Sequence, residues 1–320
     1  MTTPEDLNQL TSQFYDGNPD MEDNRLRLHR IEYEVTLRTI LNELPPGRTG
    51  LKILDIGGGT GPYSFALAAL GHTVTLVDLS PGLLALARSR ASTLPPSSRP
   101  ARILRGDATA LSAVLPADER GTFDAVLLLG PLYHIMSAKL RERAVREAWA
   151  MVRPPERPGE RGGGEAEGVE AVEAVEAVKG GTLFCAWVSR WAHYRDVAMR
   201  DPARLMKKRD FYAKHAADGD YVRYDENGQA CHAMNHELPA NMPGILKRIT
   251  GEENVKMVGT EGLLAGGLDK LVNELQGEEF QAWVDKCYEV GTDEHGWILA
   301  DHIVGVVSKT ARDDTLLRAA

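Results

Sequence analysis

The sequence predicts an α/β protein in which a mostly parallel sheet carries helices on both faces. Three observations lead there. The apolar run Leu51–Ile56 enters the glycine cluster Gly57-Gly58-Gly59-Thr60-Gly61 and passes at once into a helical apolar pattern, Tyr63, Phe65, Ala66, Leu67, Ala69 and Leu70. A second apolar run, Thr73–Val77, ends in an acid, Asp78. Strand-like and helix-like stretches then alternate up to residue 187, as successive βαβ units do.

Residues 1–48 read as an N-terminal helical cap. A short helix over 5–15 begins at Pro4-Glu5-Asp6 with acids in its first turn, and Asn18-Pro19-Asp20 ends it. Residues 22–43 carry a long amphipathic pattern (Leu26, Ile31, Val35, Leu37, Ile40, Leu41, Leu44), which Pro45-Pro46-Gly47 stops. Residues 49–187 form the core, with strands near 51–56, 73–77, 101–105, 123–129 and 181–187 and helices near 61–70, 81–91 and 137–151. Pro81 falls in the first helical turn, where its missing N–H costs nothing.

The core is interrupted at 154–180. Pro154-Pro155, Gly162-Gly163-Gly164 and the repeat from Val169 to Val178 make that stretch acidic and of low complexity; a three-residue period does not hold one face of a helix. It is expected to be a mobile insertion without a catalytic role. After the fifth strand, residues 188–252 concentrate aromatics and histidines and read as a lid or substrate insertion, with Asn235 capping a helix that runs to Ile249. Residues 253–320 return to the core, with a strand over 255–258, helices near 266–275, 278–290 and 293–299, and a last strand over 303–307.

A strand, a glycine loop, a helix and a second strand ending in an acid are the parts with which a Rossmann-like unit holds a nucleoside-bearing cofactor. The glycines let the chain turn tightly and let a ligand approach bare backbone. Asp78 can accept both hydroxyls of a ribose. The spacing here is G-x-G-x-G, with Pro62 where a dinucleotide fingerprint has its third glycine, and Asp55 stands directly before the loop. That carboxylate repels a pyrophosphate and attracts an ammonium or a sulfonium.

At these residues the chain resembles the class I S-adenosylmethionine-dependent methyltransferases of small-molecule type. Leu54-Asp55-Ile56-Gly57-Gly58-Gly59-Thr60-Gly61 is similar to their first motif and Val77-Asp78-Leu79-Ser80-Pro81 to their second. Arg105-Gly106-Asp107-Ala108 is similar to the segment that meets the adenine, and Phe123 to His134 to the fourth strand and its loop. The resemblance implies a seven-stranded sheet with the last strand inserted antiparallel, helices before the first strand that cover the cofactor, and S-adenosyl-L-methionine as that cofactor. It implies a cofactor site of Asp55, Gly57, Gly58, Gly59, Gly61, Asp78, Leu79, Gly106, Asp107, Ala108, Leu129 and Gly130. Phe14-Tyr15-Asp16 resembles the segment folded over the methionine end of the cofactor; otherwise Tyr15 packs a short helix to the core.

Methyl transfer from a sulfonium needs alignment and exclusion of water more than activation. A base helps when the acceptor must lose a proton. Tyr133 and His134 follow the fourth strand on the ligand-binding edge, as base candidates or as pocket walls, and His193 is the second candidate after the fifth strand. His232 and His236 stand four apart, but Pro239 and the expected cap at Asn235 argue against a helical metal pair, so no metal site is expected; lid contact with substrate is the better use of His236.

A net charge of −9 and a pI near 5.6 speak against a nucleic-acid substrate, although Arg195, Arg200, Arg204, Lys207, Lys208 and Arg209 cluster, on a solvated helix face or as a local basic patch. Three scattered cysteines without a C-x-x-C, no export signal and no spanning segment lead to a cytoplasmic protein without a membrane partner; oligomeric state stays open. The function implied is methylation of a small molecule at oxygen, nitrogen or sulfur. The alternatives are a macromolecular (RNA or protein) methyltransferase, a catalytically silent methyltransferase-fold binding or regulatory subunit and, more distantly, a nicotinamide dehydrogenase. Gly130-Pro131-Leu132-Tyr133 departs at its first position from the Asn-Pro-Pro-Tyr-type loop that suits a planar amine.

Overall fold

Seven strands build one sheet in the order β3-β2-β1-β4-β5-β9-β8, and only β9 runs antiparallel to its neighbours β5 and β8. The computed structural model describes residues 14–17, 24–26, 28–155 and 179–311. The strands are β1 (Lys52–Ile56), β2 (Thr73–Asp78), β3 (Arg102–Arg105), β4 (Ala125–Leu128), β5 (Thr182–Val188), β8 (Val255–Gly259) and β9 (His302–Ser308). A separate hairpin of β6 (Asp220–Tyr224) and β7 (Ala230–Asn235) belongs to the lid.

The side chains of each central strand divide between two cores, because successive residues of a strand point to opposite faces. Leu54, Val126, Leu128, Cys185 and Trp187 meet α4 (Ala138–Met151) and α8 (Met242–Thr250) on one face. Ile53, Ala125, Leu127, Phe184 and Ala186 meet α1 (Arg30–Glu43) and α2 (Pro62–Ala69) on the other. Leu54, Ile53, Leu127, Leu128 and Phe184 are fully buried, each side chain contributing roughly 1.5–3 kcal/mol by leaving water. Asp55 lies between Leu54 and Ile56 on the α1–α2 face, so the chain places a carboxyl inside a core.

α3 (Pro81–Ser92) follows β2 and starts on Ser80, whose Oγ accepts from Leu83 N. Ser137 caps α4 in the same way. The lid consists of α5 (Arg190–Arg200), α6 (Arg204–Lys207), α7 (Arg209–Asp218) and the β6–β7 hairpin, inserted between β5 and α8. α9 (Gly277–Thr292) packs on α1 through Phe280, Val284 and Cys287.

Several expectations need correction. The long helix over 22–43 is interrupted at His29, whose Nδ1 turns aside to Asp269 Oδ2 at 3.2 Å, and the regular helix begins at Arg30. Asn235 is no cap: it ends β7, and its amide donates to Asp218 O and Asp220 Oδ1, so it locks the hairpin to α7, while α8 begins only at Met242. The segment 266–275 is a run of turns with a short 3-10 helix at Val272–Glu274, because Gly266 and Gly267 both take positive φ. Only Trp297–Leu299 is helical, as a 3-10 turn, within 293–299. The expected helix over 5–15 lies outside the described residues except at its end, as does most of the 154–180 insertion.

Candidate active site

The carboxyl ends of β1, β2, β4 and β5 open onto one cleft, which encloses about 1450 Å³ including the solvent at its mouth. The glycine loop after β1 forms its floor. Gly57 has φ 71° and a Cβ there would lie 2.4 Å from Pro131 Cγ, so the loops after β1 and β4 touch through bare backbone. Gly61 has φ 85° and turns the chain into α2 rather than facing the cleft. The other cofactor candidates, Tyr15, Asp55, Gly57, Gly58, Gly59, Asp78, Leu79, Gly106, Asp107, Ala108, Leu129 and Gly130, all line it, as do Tyr133 and His134.

Three acids are spaced along the cleft, each held differently. Asp78 accepts from Gly59 N through Oδ2 and from Ser80 N through Oδ1, both at 2.8 Å, so the glycine loop and the start of α3 fix its plane. Asp107 accepts from Thr109 N and Thr109 Oγ1 through Oδ1, at 2.7 and 2.8 Å. Asp55 accepts from Ser64 Oγ at 2.7 Å. Burial raises the Asp55 carboxyl to about 6; the Ser64 bond opposes this and nearby Asp78 adds to it. The set fits a ligand with a diol at Asp78 and a cation at Asp55, and a Cβ at Gly58 would lie 2.6 Å from Asp55 Oδ2, so bare backbone there leaves room for that carboxyl.

The N-terminal segment closes the cleft from above. Asp16 Oδ1 accepts from Ser80 Oγ at 2.5 Å and from Gly82 N at 3.1 Å, which pins the segment to the start of α3. Its neighbour Tyr15 then reaches across, and the Tyr15 hydroxyl sits 2.9 Å from His134 Nε2. His232 of β7 lies edge-on to both, with ring centroids 5.6 Å from His134 and 6.3 Å from Tyr15. Burial lowers His134 to about 3, helped by the charge of His232 and of Arg25, so the imidazole is neutral at ordinary pH.

His193 does not join this group. Ser189 caps α5 directly after β5, and that helix turns His193 into the interior of the lid. There it stacks on His236 (5.4 Å, 12°) and Tyr212 (5.7 Å, 22°), and His215 Nε2 lies 3.0 Å from His236 Nδ1. His193 and His236 line no part of the cleft, so neither is placed to meet an acceptor there. A residue's order after a strand does not determine which way its helix turns it.

The far wall holds a charged group that the sequence reading missed. Arg25 Nη1 donates to Glu32 Oε1 and Oε2 at 3.1 and 2.9 Å. His302 Nδ1 bonds Glu261 and lies 3.6 Å from Glu32 Oε2, while Glu261 Oε2 accepts from the backbone of Asp301 and His302. Burial pulls His302 down, but Glu32 and Glu261 outweigh it and raise the imidazole to about 9. Glu32, Glu261 and His302 bring ligand-type atoms within 4.8 Å of one another. Arg25 and the protonated His302 already balance both carboxylates. The available signal was Glu32 itself, an acid between Ile31 and Val35 on the buried stripe of α1.

Residues 53–155 match a family model described as a methyltransferase domain. Over 100 residues the chain is 34% identical to a magnesium-protoporphyrin O-methyltransferase of Rhodobacter capsulatus, which covers 31% of this chain and 41% of that protein. The chain thus aligns with about two fifths of that relative. Among solved structures, a magnesium protoporphyrin IX methyltransferase from Synechocystis with S-adenosylhomocysteine bound superposes with a TM-score of 0.52 at 13% identity, over 95% of this chain and 100% of that one. A methyltransferase from Thermotoga maritima superposes with a TM-score of 0.50 at 16% identity, over 93% and 99%. At such identities these structures speak for the fold. Residues 53–155, which supply the glycine loop, Asp78 and Asp107, thus match a methyltransferase domain, and the fold as a whole superposes on methyltransferases, one of them with S-adenosylhomocysteine bound.

Proposed function

We propose that this protein transfers a methyl group to oxygen, nitrogen or sulfur of a small molecule by in-line displacement. The observation that carries the reading is the Tyr15–His134 hydrogen bond across the cleft, beside the acids that suit the cofactor. Bound S-adenosylmethionine supplies an electrophilic methyl group with its leaving group attached. The chain's part is to bind, align and exclude water. Asp78 would take the ribose hydroxyls, Asp107 and Ala108 would hold the adenine, and Asp55 would meet the positive end of the ligand. Tyr15 and Asp16 close the site, which favours reactive alignment worth roughly 7–11 kcal/mol of barrier at best.

The depressed basicity of His134 narrows the acceptor. A base works best with a pKa near the working pH. An imidazole lowered to about 3 is a poor proton sink for an alcohol. That supports an acceptor atom that is already deprotonated near neutral pH, such as a carboxylate, an acidic thiol or an amine of low pKa, with Tyr15, Tyr133 and His134 positioning it.

The test pairs calorimetry of S-adenosylhomocysteine binding with methyl transfer from labelled S-adenosylmethionine to a panel of carboxylic acids, thiols and amines. Binding together with turnover of a small acceptor is expected. Turnover confined to RNA or protein would replace the reading with a macromolecular one. Binding without turnover, alongside a co-purifying partner, would favour a silent binding or regulatory subunit.

A further inference from the structure

The four most exposed large apolar side chains among the described residues are Leu271, Leu28, Met206 and Leu268, at 76, 69, 68 and 64%. Met199 and Leu205 are exposed as well. These residues come from three segments that the fold brings together. Met199, at the end of α5, lies over the 266–271 turn: a Cβ at Gly267 would sit 3.6 Å from Met199 Cε and 3.7 Å from Lys270 Cε. Asn273 Nδ2 donates to Leu28 O at 2.8 Å, and His29 Nδ1 lies 3.2 Å from Asp269 Oδ2, which ties Leu28 to the same turn. Leu205 and Met206 lie on α6, which follows α5 directly.

The surroundings of this patch are cationic in an acidic chain. Residues 199–210 hold five basic side chains (Arg200, Arg204, Lys207, Lys208, Arg209) against two acids (Asp201, Asp210), while the whole chain carries −9. Arg200 pairs with Asp196 and Lys207 lies 3.8 Å from Asp201. Lys208, Arg209 and Lys270 are exposed and enter no ion pair among the described residues. Exposed apolar side chains among cations are the composition of a segment that lies in a membrane interface. A nucleic acid would find no aromatic ring to stack on among Met199, Leu205 and Met206. A second copy would bring the same cations face to face across a two-fold axis.

We propose that this face, formed by α6, the end of α5 and the 266–271 turn, docks the protein peripherally on an anionic phospholipid surface. A peripheral contact needs no spanning segment, the absence of which underlay the expectation of no membrane partner. The face adjoins the cleft: Arg195 Nε and Gly266 N both bond Asp301, at 2.7 and 2.6 Å, and the next residue, His302, lines the cleft wall. Docking there brings an acceptor dissolved in lipid to the β9 end of the cleft.

The test is co-sedimentation of the full chain with vesicles of phosphatidylcholine alone and of phosphatidylcholine mixed equally with phosphatidylglycerol. Sedimentation with the anionic vesicles only, reversed by salt, is expected. Lys207→Gln with Lys208→Gln should weaken partitioning roughly fivefold per lysine. Leu205→Ser with Met206→Ser should weaken it as well, and Leu70→Ser, outside the patch, should not. S-adenosylhomocysteine affinity measured on each variant reports its folding and is independent of the lipid result. No sedimentation, sedimentation unchanged in both double variants, equal binding to an RNA oligonucleotide, or a stable dimer abolished by Met206→Ser would each overturn the proposal.

Discussion

The Tyr15 hydroxyl lies 2.9 Å from Nε2 of His134, a residue 119 positions further along the chain, and the bond joins the N-terminal segment to the loop after β4. If the pair acts as one closing device, Tyr15→Phe and His134→Gln should each lower kcat by about 10²-fold through misalignment. The double variant should then be little worse than either single one. Effects that multiply would show two separate roles, and an unchanged kcat in both single variants would remove the pair from catalysis.

Asp78 is presented by Gly59 N and Ser80 N so that its carboxylate can receive a diol. Asp78→Ala should weaken S-adenosylhomocysteine binding by about 10- to 100-fold, the range for charged hydrogen bonds. The same variant should melt lower, because both backbone donors lose their acceptor. Calorimetry and a thermal melt separate the two effects; undiminished affinity removes Asp78 from the ribose role.

Asp55 should make cofactor affinity depend on pH. Its carboxyl titrates at about 6 because it is buried. A bound cation favours the ionised form, so affinity for S-adenosylmethionine should be full above pH 7 and decline as pH falls through 6, with proton uptake by the free protein. Asp55→Asn should bind more weakly and lose that slope. A flat profile in the parent protein would place the cation elsewhere.

His302 makes the opposite kind of contribution. Its imidazole is raised to about 9 between Glu32 and Glu261. The linkage stabilises the fold fully below the unfolded value of about 6.5 and is lost as pH rises through 9. The shift corresponds to about 3 kcal/mol. Melting temperature should therefore fall between pH 7 and 9.5, and His302→Gln should melt lower at pH 7 and flatten that decline. Equal slopes for both proteins would show that the histidine is not charged in the native state.

The local motifs of the cofactor half were legible because each is a run of consecutive residues. A glycine loop, a strand-ending acid and the helix after Pro81 are written in order, and the seven-stranded sheet with β9 antiparallel followed from the resemblance they carry. The turn at 266–275 misled because its leucines mimic helical spacing while Gly266 and Gly267 take positive φ. Asn235 misled because an asparagine before a helix and an asparagine closing a hairpin look alike until the partners Asp218 and Asp220 are seen.

By itself the sequence led to the fold class, the succession of strands and helices along the core and the glycine loop with its flanking acids, since each of these is written as a run of consecutive residues. Only the tertiary structure decided which histidine meets the cleft. His134 and His193 follow adjacent strands, β4 and β5; one loop leaves its ring beside Tyr15, and one helix turns its ring into the lid. The same holds for the Arg25–Glu32–His302–Glu261 group, which joins a pair near the start of the chain to a pair near its end. Such groupings are set by how helices pack against the sheet, and no local pattern encodes the angle of that packing.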